Sequence, residues 1–256
     1  MHMLNSHCGI DRDQRGVVTL TICNAGPLNI LNSPAIKNVR EGLEALATER
    51  GVRALVIAGQ SEKSMIGGAD IKEMATLDQA SAERFITGLR DLCEAARAFP
   101  APVIARIPGW CLGGGLEFAA ACDFRVAAHD AKFAMPEVRV GIPSVIHAAL
   151  LPRLIGWGRA RWLIMTAATI DAPTALNWGL VDMVAKDGGL DAAVESTLAM
   201  LLECAPEALR AQKALLKQWE ELPLKESVNL SVGVFGEAYL TGEPQRLMQG
   251  FIDRKR

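Results

Sequence analysis

Residues 102–128 read PVIARIPGWCLGGGLEFAAACDFRVAA, and this stretch decides the fold class. Residues 102–107 form a short apolar run that is typical of a buried strand. A glycine turn at 113–115 and the alanine-rich residues 116–122 predict the start and body of a helix, and residues 124–128 predict a further strand. Strand, helix and strand in this order predict an α/β architecture.

The same alternation extends towards the N-terminus, whereas the last third of the chain is almost entirely helical in pattern. Ser33 is the predicted N-cap of the first helix, and Pro34 its first residue. We therefore expect an α/β body over residues 1–195 and a helical region over residues 196–256. The other predicted elements are strands at 17–22, 53–58 and 181–184, helices at 34–49 and 80–99, and helical segments near 145–155, 158–167, 172–177, 189–204, 206–220 and 224–240.

Composition narrows the class of protein. The chain has 256 residues, with 27 Lys and Arg against 29 Asp and Glu, so no positive field would attract a nucleic acid. The 6 cysteines include no C-x-x-C pair, which argues against a zinc site or a disulfide framework and favours a reducing compartment. Residues 1–16 lack the apolar core of a signal peptide, and no apolar run is long enough to span a membrane. We expect a cytoplasmic enzyme without a membrane partner.

Two glycine loops carry the first functional signal. Residues 64–72 (SMIGGADIK) and residues 110–117 (WCLGGGLE) both contain consecutive glycines close to a predicted helix start. Glycine lets a backbone approach a ligand closely, and the first N–H groups of a helix are unpaired, so such loops can hold a negatively charged oxygen. Tight turns between strand and helix are the alternative interpretation. Neither loop has the sequence of a P-loop or of a dinucleotide-binding fingerprint.

Two carboxylates carry the second signal. Glu117 stands among Leu116, Phe118 and a run of alanines, where a charge is costly unless it has a partner or a task. Glu137 follows Pro136 twenty residues later. Two carboxylates near an oxyanion site indicate acid–base chemistry. A solvated helix position for Glu117 and a surface turn for Glu137 are the alternatives.

Together these motifs resemble the enoyl-CoA hydratase/isomerase (crotonase) superfamily, and the likeness extends from about Val17 to the C-terminus. The segments that carry it are GGADIKEM at 67–74, GGGLE at 113–117 and MPE at 135–137. The resemblance implies a crotonase-like spiral of ββα units with a helical C-terminal trimerisation region. It also implies fatty acid metabolism, an acyl-CoA substrate, and assembly as a homotrimer or dimer of trimers.

The resemblance assigns roles residue by residue. Ala69 and Gly114 would donate backbone N–H bonds to the thioester oxygen. Glu117 would assist the attack of water at Cβ, and Glu137 would deliver the proton to Cα. No metal and no separate cofactor are implied, because coenzyme A enters as part of the substrate. The residues implied for CoA or substrate binding are Leu28, Gly67, Gly68, Asp70, Ile71, Lys72, Trp110, Gly113 and Gly141, with the basic residues 254–256 near the CoA phosphates.

One segment departs from the pattern of hydratases. Residues 141–147 read GIPSVIH, where hydratases commonly carry a Pro-Gly-x-Gly-Gly stretch after the second carboxylate. The water pocket is therefore expected to differ. We predict Ser144 to be a helix N-cap, since no Gly-x-Ser-x-Gly elbow surrounds it, and His147 to be a helix residue with ordinary hydrogen bonds.

Several activities fit these residues. An enoyl-CoA hydratase uses both carboxylates, whereas a Δ3,Δ2-enoyl-CoA isomerase can use the Glu137 position alone. A CoA-thioester hydrolase, a decarboxylase and a non-catalytic acyl-CoA binder are further alternatives. The two carboxylates favour the hydratase, while the acyl-chain length stays open.

Overall fold

The computed structural model describes residues 1–186 and 189–253. The strands are β1 (His2–Asn5), β2 (Cys8–Arg12), β3 (Val17–Ile22), β4 (Ala54–Gly59), β5 (Ser64–Ile66), β6 (Val103–Ile107), β7 (Trp110–Leu112), β8 (Phe124–Ala127), β9 (Lys132–Ala134), β10 (Ile170–Asp171) and β11 (Met183–Val184). The α-helices are α1 (Ser33–Ala47), α2 (Ile71–Met74), α3 (Gln79–Ala98), α4 (Gly114–Ala121), α5 (Leu151–Thr166), α6 (Ala172–Trp178), α7 (Leu190–Glu203), α8 (Pro206–Glu221), α9 (Leu224–Ala238) and α10 (Glu243–Asp253).

The larger sheet has the strand order β1-β2-β3-β4-β6-β8-β11 over the part of the chain that the structure describes. The strands β1, β2 and β3 are antiparallel, and the pairs from β3 to β11 are parallel. Every residue of β4 is buried, as expected for a parallel strand covered on both faces. Helices α1 and α3 pack on one face, and α7 packs on the other.

A smaller sheet of order β10-β9-β7-β5 lies beside it. The chain alternates between the sheets: β4 is followed by β5 and α2, β6 by β7 and α4, and β8 by β9 and a 3-10 turn. The strands β5, β7 and β9 are parallel, with Cys111 aligned with Ile66 on one side and with Phe133 on the other. Each turn of the resulting spiral is therefore a strand, a second short strand and a helix.

The prediction of the larger elements is confirmed, and that of one cap is wrong. The predicted strands at 17–22, 53–58 and 102–107 coincide closely with β3, β4 and β6. The N-cap of α1 is Asn32 and not Ser33, so Pro34 is the second helical residue. Asn32 Oδ1 accepts the Ala35 N–H at 2.9 Å, while the Ser33 hydroxyl donates to Glu73 instead.

The C-terminal region is helical, as predicted. The segments near 145–155 and 158–167 are a 3-10 turn followed by α5, which bends at Gly156 because that residue has a φ of 77°. A division after residue 195 falls within α7, and α8 to α10 follow it. Across residues 1–186 and 189–253, no helix has the length and apolarity needed to cross a membrane.

Candidate active site

Three sequence-predicted segments follow the ends of neighbouring parallel strands. Ala69 comes shortly after β5, Gly114 after β7 and Glu137 after β9, and these strands are hydrogen-bonded in that order. The carboxyl ends of parallel strands meet at one edge of a sheet, which is where ligands bind in α/β proteins. All three residues line one cavity of about 610 Å³.

The backbone N–H groups of Ala69 and Gly114 are held at this cavity without partners of their own. Leu31 brackets the first loop, because its N–H donates to Gly68 O and its carbonyl accepts from Asp70 N–H, both at 2.9 Å. Gly114 is the first residue of α4, whose first N–H groups have no acceptor within the helix. No hydrogen bond formed among residues 1–186 and 189–253 uses either N–H.

The three glycines before Leu116 are each required by a different neighbour. Gly113 has a φ of 52°, and a Cβ there would collide with Glu137 Oε1. A Cβ on Gly114 would lie 2.7 Å from Leu89 Cδ2, and one on Gly115 would collide with the Ile66 carbonyl. The loop therefore packs its backbone directly against a carboxylate, a helix and a strand. This close packing requires three consecutive glycines, although glycines lose more backbone entropy on folding than other residues.

Glu117 is deeply buried beside this loop. It lies on α4 with 3% of its surface exposed, and its Oε1 accepts the Ala148 N–H at 3.2 Å. Burial, followed by the nearby charge of Glu137, raises its pKa to about 8, and the N–H groups of Ala148 and Val145 oppose that shift. A carboxyl with this pKa carries its proton at neutral pH.

Glu137 is less buried than Glu117, and its carboxylate accepts a hydrogen bond from a side-chain hydroxyl. Its Oε2 accepts the Ser144 hydroxyl at 2.8 Å. Burial raises its pKa, while its own backbone N–H and the Ser144 hydroxyl oppose the rise. The prediction of Ser144 as an N-cap is wrong: Val145 precedes the 3-10 turn Ile146–Leu150, and the Ser144 side chain is turned back to the carboxylate.

His147 lies in that 3-10 turn, next to the residue whose backbone N–H binds Glu117. Its Nε2 is 2.8 Å from Glu94 Oε1, and Glu94 Oε2 accepts from Lys217 Nζ at 3.0 Å. Burial lowers the pKa of His147, and the hydrogen bond with Glu94 opposes this. The neighbouring Ala148 supplies the N–H that holds Glu117, so the turn is fixed by side chains of α3 and α8.

The raised pKa of Glu117 predicts a pH-dependent stability. Folding keeps a proton on Glu117 that the unfolded chain releases above its ordinary pKa of 4.5, so stability falls as pH rises towards about 8. Glu117→Gln removes this titration, so its stability relative to wild type should rise by about 3–4 kcal/mol between pH 5 and pH 8. Denaturant unfolding at both pH values measures the change. Glu41→Gln on exposed α1 is the control, and an equal gain there would contradict the assignment to Glu117.

The predicted binding residues fall into two groups. Those lining the cavity are Gly67, Gly68, Ala69, Ile71, Gly113, Gly114, Glu117 and Glu137. Those outside its lining are Leu28, Asp70, Lys72, Trp110 and Gly141. Leu28 accepts the Gly67 N–H at 2.8 Å and thus supports the loop, and Asp70 caps α2 by accepting the Lys72 N–H at 2.8 Å. Lys72 is exposed beside the cavity-lining Ile71, and residues 254–256 lie outside the described residues.

Trp110 and Gly141 lie near the site without lining the cavity. Trp110 is 41% exposed and is the first residue of β7. The strand end that reaches the cavity lies two residues further on. Gly141 ends the turn Glu137–Val140 in a left-handed conformation, and a Cβ there would meet nothing within 4 Å. It therefore shapes the turn that carries Glu137 without lining the cavity.

The sequence alone does not reveal the apolar wall of the cavity that also contains the carboxylates. Helix α3 was predicted from its periodicity, yet that pattern does not say that the helix also faces a cavity. The wall consists of Met74, Leu77, Ala82, Phe85, Ile86 and Leu89. Over residues 1–186 and 189–253, no group of three or more His, Cys, Asp or Glu side chains is placed to hold a metal ion.

Comparison with known proteins agrees with this geometry. The family model described as enoyl-CoA hydratase/isomerase matches residues 12–256. A crotonyl-CoA hydratase from Syntrophomonas wolfei is 32% identical over 90% of this chain and 88% of its own. A short-chain-enoyl-CoA hydratase from Clostridium acetobutylicum is 31% identical over 94% and 92%. The crystal structure of an enoyl-CoA hydratase from Mycobacterium smegmatis superposes with a TM-score of 0.93 at 28% identity, covering 98% of this chain and 97% of that one. The predicted crotonase-like spiral is thereby confirmed.

Proposed function

Because the chain belongs to the enoyl-CoA hydratase/isomerase family, we propose that it is an enoyl-CoA hydratase. It adds water across the 2,3 double bond of a 2-enoyl-CoA thioester and gives a 3-hydroxyacyl-CoA. One observation carries the proposal: a buried carboxyl group, Glu117, and a half-buried one, Glu137, line the same cavity as two unpaired backbone N–H groups. The hydratase names of the relatives point the same way.

The N–H groups of Ala69 and Gly114 stabilise the negative charge that develops during the reaction. Attack of water at Cβ pushes electrons onto the thioester oxygen and forms an enolate. Fixed backbone donors stabilise this charge without reorganising, and one such donor typically contributes about a hundredfold to a thousandfold in rate. Gly114 also opens α4, so the positive end of the helix dipole faces the same oxygen.

The carboxyl pair moves the protons. Two carboxyl groups that repel each other in a buried site share a single proton at neutral pH, which leaves one acid and one base. The Ser144 bond favours the charged form of Glu137, and deep burial favours the neutral form of Glu117. The resting proton is thus on Glu117. The family resemblance makes Glu137 the donor to Cα, so Glu117 first passes its proton to Glu137. Glu117 then accepts the proton that the attacking water releases, Glu137 protonates Cα, and the resting state is restored.

Coenzyme A takes part only as the carrier of the acyl group. Its pantetheine arm would pass the loop at Gly67 and Ile71, with Lys72 exposed beside it and able to meet phosphates. The reaction then needs no separate cofactor. We further propose a cytoplasmic location, in keeping with the free thiols of Cys8, Cys23, Cys93, Cys111, Cys122 and Cys204.

Hydration of crotonyl-CoA tests the proposal. We expect the absorbance of the conjugated enoyl thioester to fall on mixing with the protein, and mass spectrometry to identify 3-hydroxybutyryl-CoA. A protein that binds butyryl-CoA yet leaves crotonyl-CoA unchanged would be an acyl-CoA binder, contrary to the proposal. Release of free CoA would identify a thioester hydrolase instead.

We also propose that the chain assembles with copies of itself, as a homotrimer or dimer of trimers. Leu224, Val228, Val232 and Phe235 recur at helical spacing along α9, and all four are more than half exposed. An apolar stripe of this length marks an interaction surface. Light scattering should report a mass near three or six chains, and Val232→Glu with Phe235→Glu should lower it. A wild-type protein that is monomeric at micromolar concentration would contradict assembly.

A further inference from the structure

A second cavity of about 310 Å³ lies behind the apolar wall of the active-site cavity. It is formed by the first half of α1, the first half of α3 and the residues that connect α2 to α3. Leu77 and Phe85 line both cavities, so their side chains stand between the two spaces. Phe85 is 7% exposed and belongs to the main core, whereas Leu77 is half-buried.

Leu77 and Phe85 form a partition between the two cavities. Helix α3 determines how far this partition lies from the reaction centre. Leu89 contacts the second glycine loop, residues 110–117, since a Cβ on Gly114 would lie 2.7 Å from Leu89 Cδ2. Phe85 precedes Leu89 by four residues, which at a rise of 1.5 Å per residue is about 6 Å along the helix axis. An acyl chain that leaves the thioester and follows α3 therefore meets the Phe85 ring after one helical turn.

The far side of the partition differs in chemistry from the near side. Next to Ile36 and Gly88, the second cavity is lined by the polar side chains of Ser33, Lys37, Arg40, Glu73, Ser81 and Arg84. Lys37 and Arg40 form ion pairs with Glu41 and Glu44 at the surface. A Cβ on Gly88 would already be in contact with Ile36 Cγ2 at 3.4 Å, so α1 and α3 pack closely at this point. The second cavity has a volume of about 310 Å³, and Phe85 and Leu77 separate it from the apolar wall.

We propose that Phe85, together with Leu77, sets the upper limit of acyl-chain length and makes this enzyme selective for short enoyl groups. The inference rests on the proposed function for its substrate class. Phe85 acts by excluding volume: a longer chain must displace a buried ring that is packed into the core. Excluding or admitting one methylene in an apolar pocket changes specificity by about tenfold to two-hundredfold.

Binding and turnover of an acyl-CoA series test the proposal. The variants are Phe85→Ala, Phe85→Leu and Leu77→Ala, and the control is Leu92→Ala, a buried core residue of α3 that lines neither cavity. For each, calorimetry measures Kd for butyryl-CoA and decanoyl-CoA, and kcat/KM is measured for the 2-enoyl-CoAs of four to ten carbons. Phe85→Ala should raise the decanoyl to butyryl preference at least tenfold, Phe85→Leu by less, and Leu92→Ala should leave it unchanged.

The two readouts separate this proposal from the function. If the saturated acyl-CoAs show the shift in Kd while crotonyl-CoA is not hydrated, the length limit stands and the hydratase assignment fails. If Phe85→Ala does not fold, Leu77→Ala at the half-buried edge of the partition should still raise the preference several-fold. Preferences that are unchanged in the folded variants, or an equal rise in Leu92→Ala, would overturn the proposal.

Discussion

Replacing Glu137 by glutamine should lower kcat for hydration of crotonyl-CoA by about a hundredfold to ten-thousandfold, the usual contribution of a general acid or base. Glutamine keeps the size of the side chain and an oxygen that can accept the Ser144 hydroxyl, which is 2.8 Å from Glu137 Oε2. It cannot carry the proton that must reach Cα. The loss should therefore be in kcat, with little change in the Kd of butyryl-CoA.

Glu117→Gln distinguishes a hydratase from an isomerase. Hydration must activate a water and supply a proton, so this variant should lose hydration by a factor comparable to that of Glu137→Gln. Isomerisation shuttles one proton between carbons, so an isomerase would keep most of its conversion of 3-enoyl to 2-enoyl thioesters in Glu117→Gln. Ser144→Ala removes the hydrogen bond to Glu137 and keeps both carboxyl groups, so it should lose less hydration than either glutamine variant. Hydration that survives both glutamine variants would refute the acid–base mechanism.

The parts of the fold that could be predicted are those with a long apolar signal. The strands β3, β4 and β6 have five or six residues in apolar runs, and α1 and α3 repeat apolar residues over several turns. The second sheet was not predicted, because β5, β7 and β9 have three residues each, too few for periodicity to register. That sheet nevertheless places the two oxyanion loops and Glu137 side by side.

The site was predicted in its motifs and missed in its packing. The glycine loops and the carboxylates can be recognised from the local sequence. Consecutive glycines are unusual in an ordinary turn, and a glutamate is unusual within an apolar segment. The Ser144 contact with Glu137 depends on the path of residues 141–145. The sequence of that segment, which lacks the glycines common in hydratases, does not predict this contact. The sequence predicts Trp110 among the substrate-binding residues, yet only the last residue of the short strand β7, Leu112, lines the cavity.

Gly113→Ala should produce a loss of hydration comparable to that of the carboxyl variants, at least about a hundredfold. The added Cβ would collide with Glu137 Oε1, and the φ of 52° is unfavourable for alanine. Relief of the collision must move either the carboxylate or the start of α4, which carries the Gly114 N–H. Gly156→Ala is the control, since Gly156 also has a positive φ of 77° and a Cβ there would meet nothing within 4 Å. It should lose stability and keep its activity.

A double-variant comparison locates the damage within the site. Glu137→Ala removes the carboxylate that the new Cβ would strike. If Gly113→Ala acts by displacing Glu137, adding it to Glu137→Ala should lower the residual rate by less than about threefold, because contacting residues give non-additive effects. A further hundredfold loss would assign the effect to the Gly114 N–H and the oxyanion, since that donor is present in both backgrounds. Full activity in Gly113→Ala alone would mean that neither the carboxylate nor the oxyanion loop needs the close packing seen at this glycine.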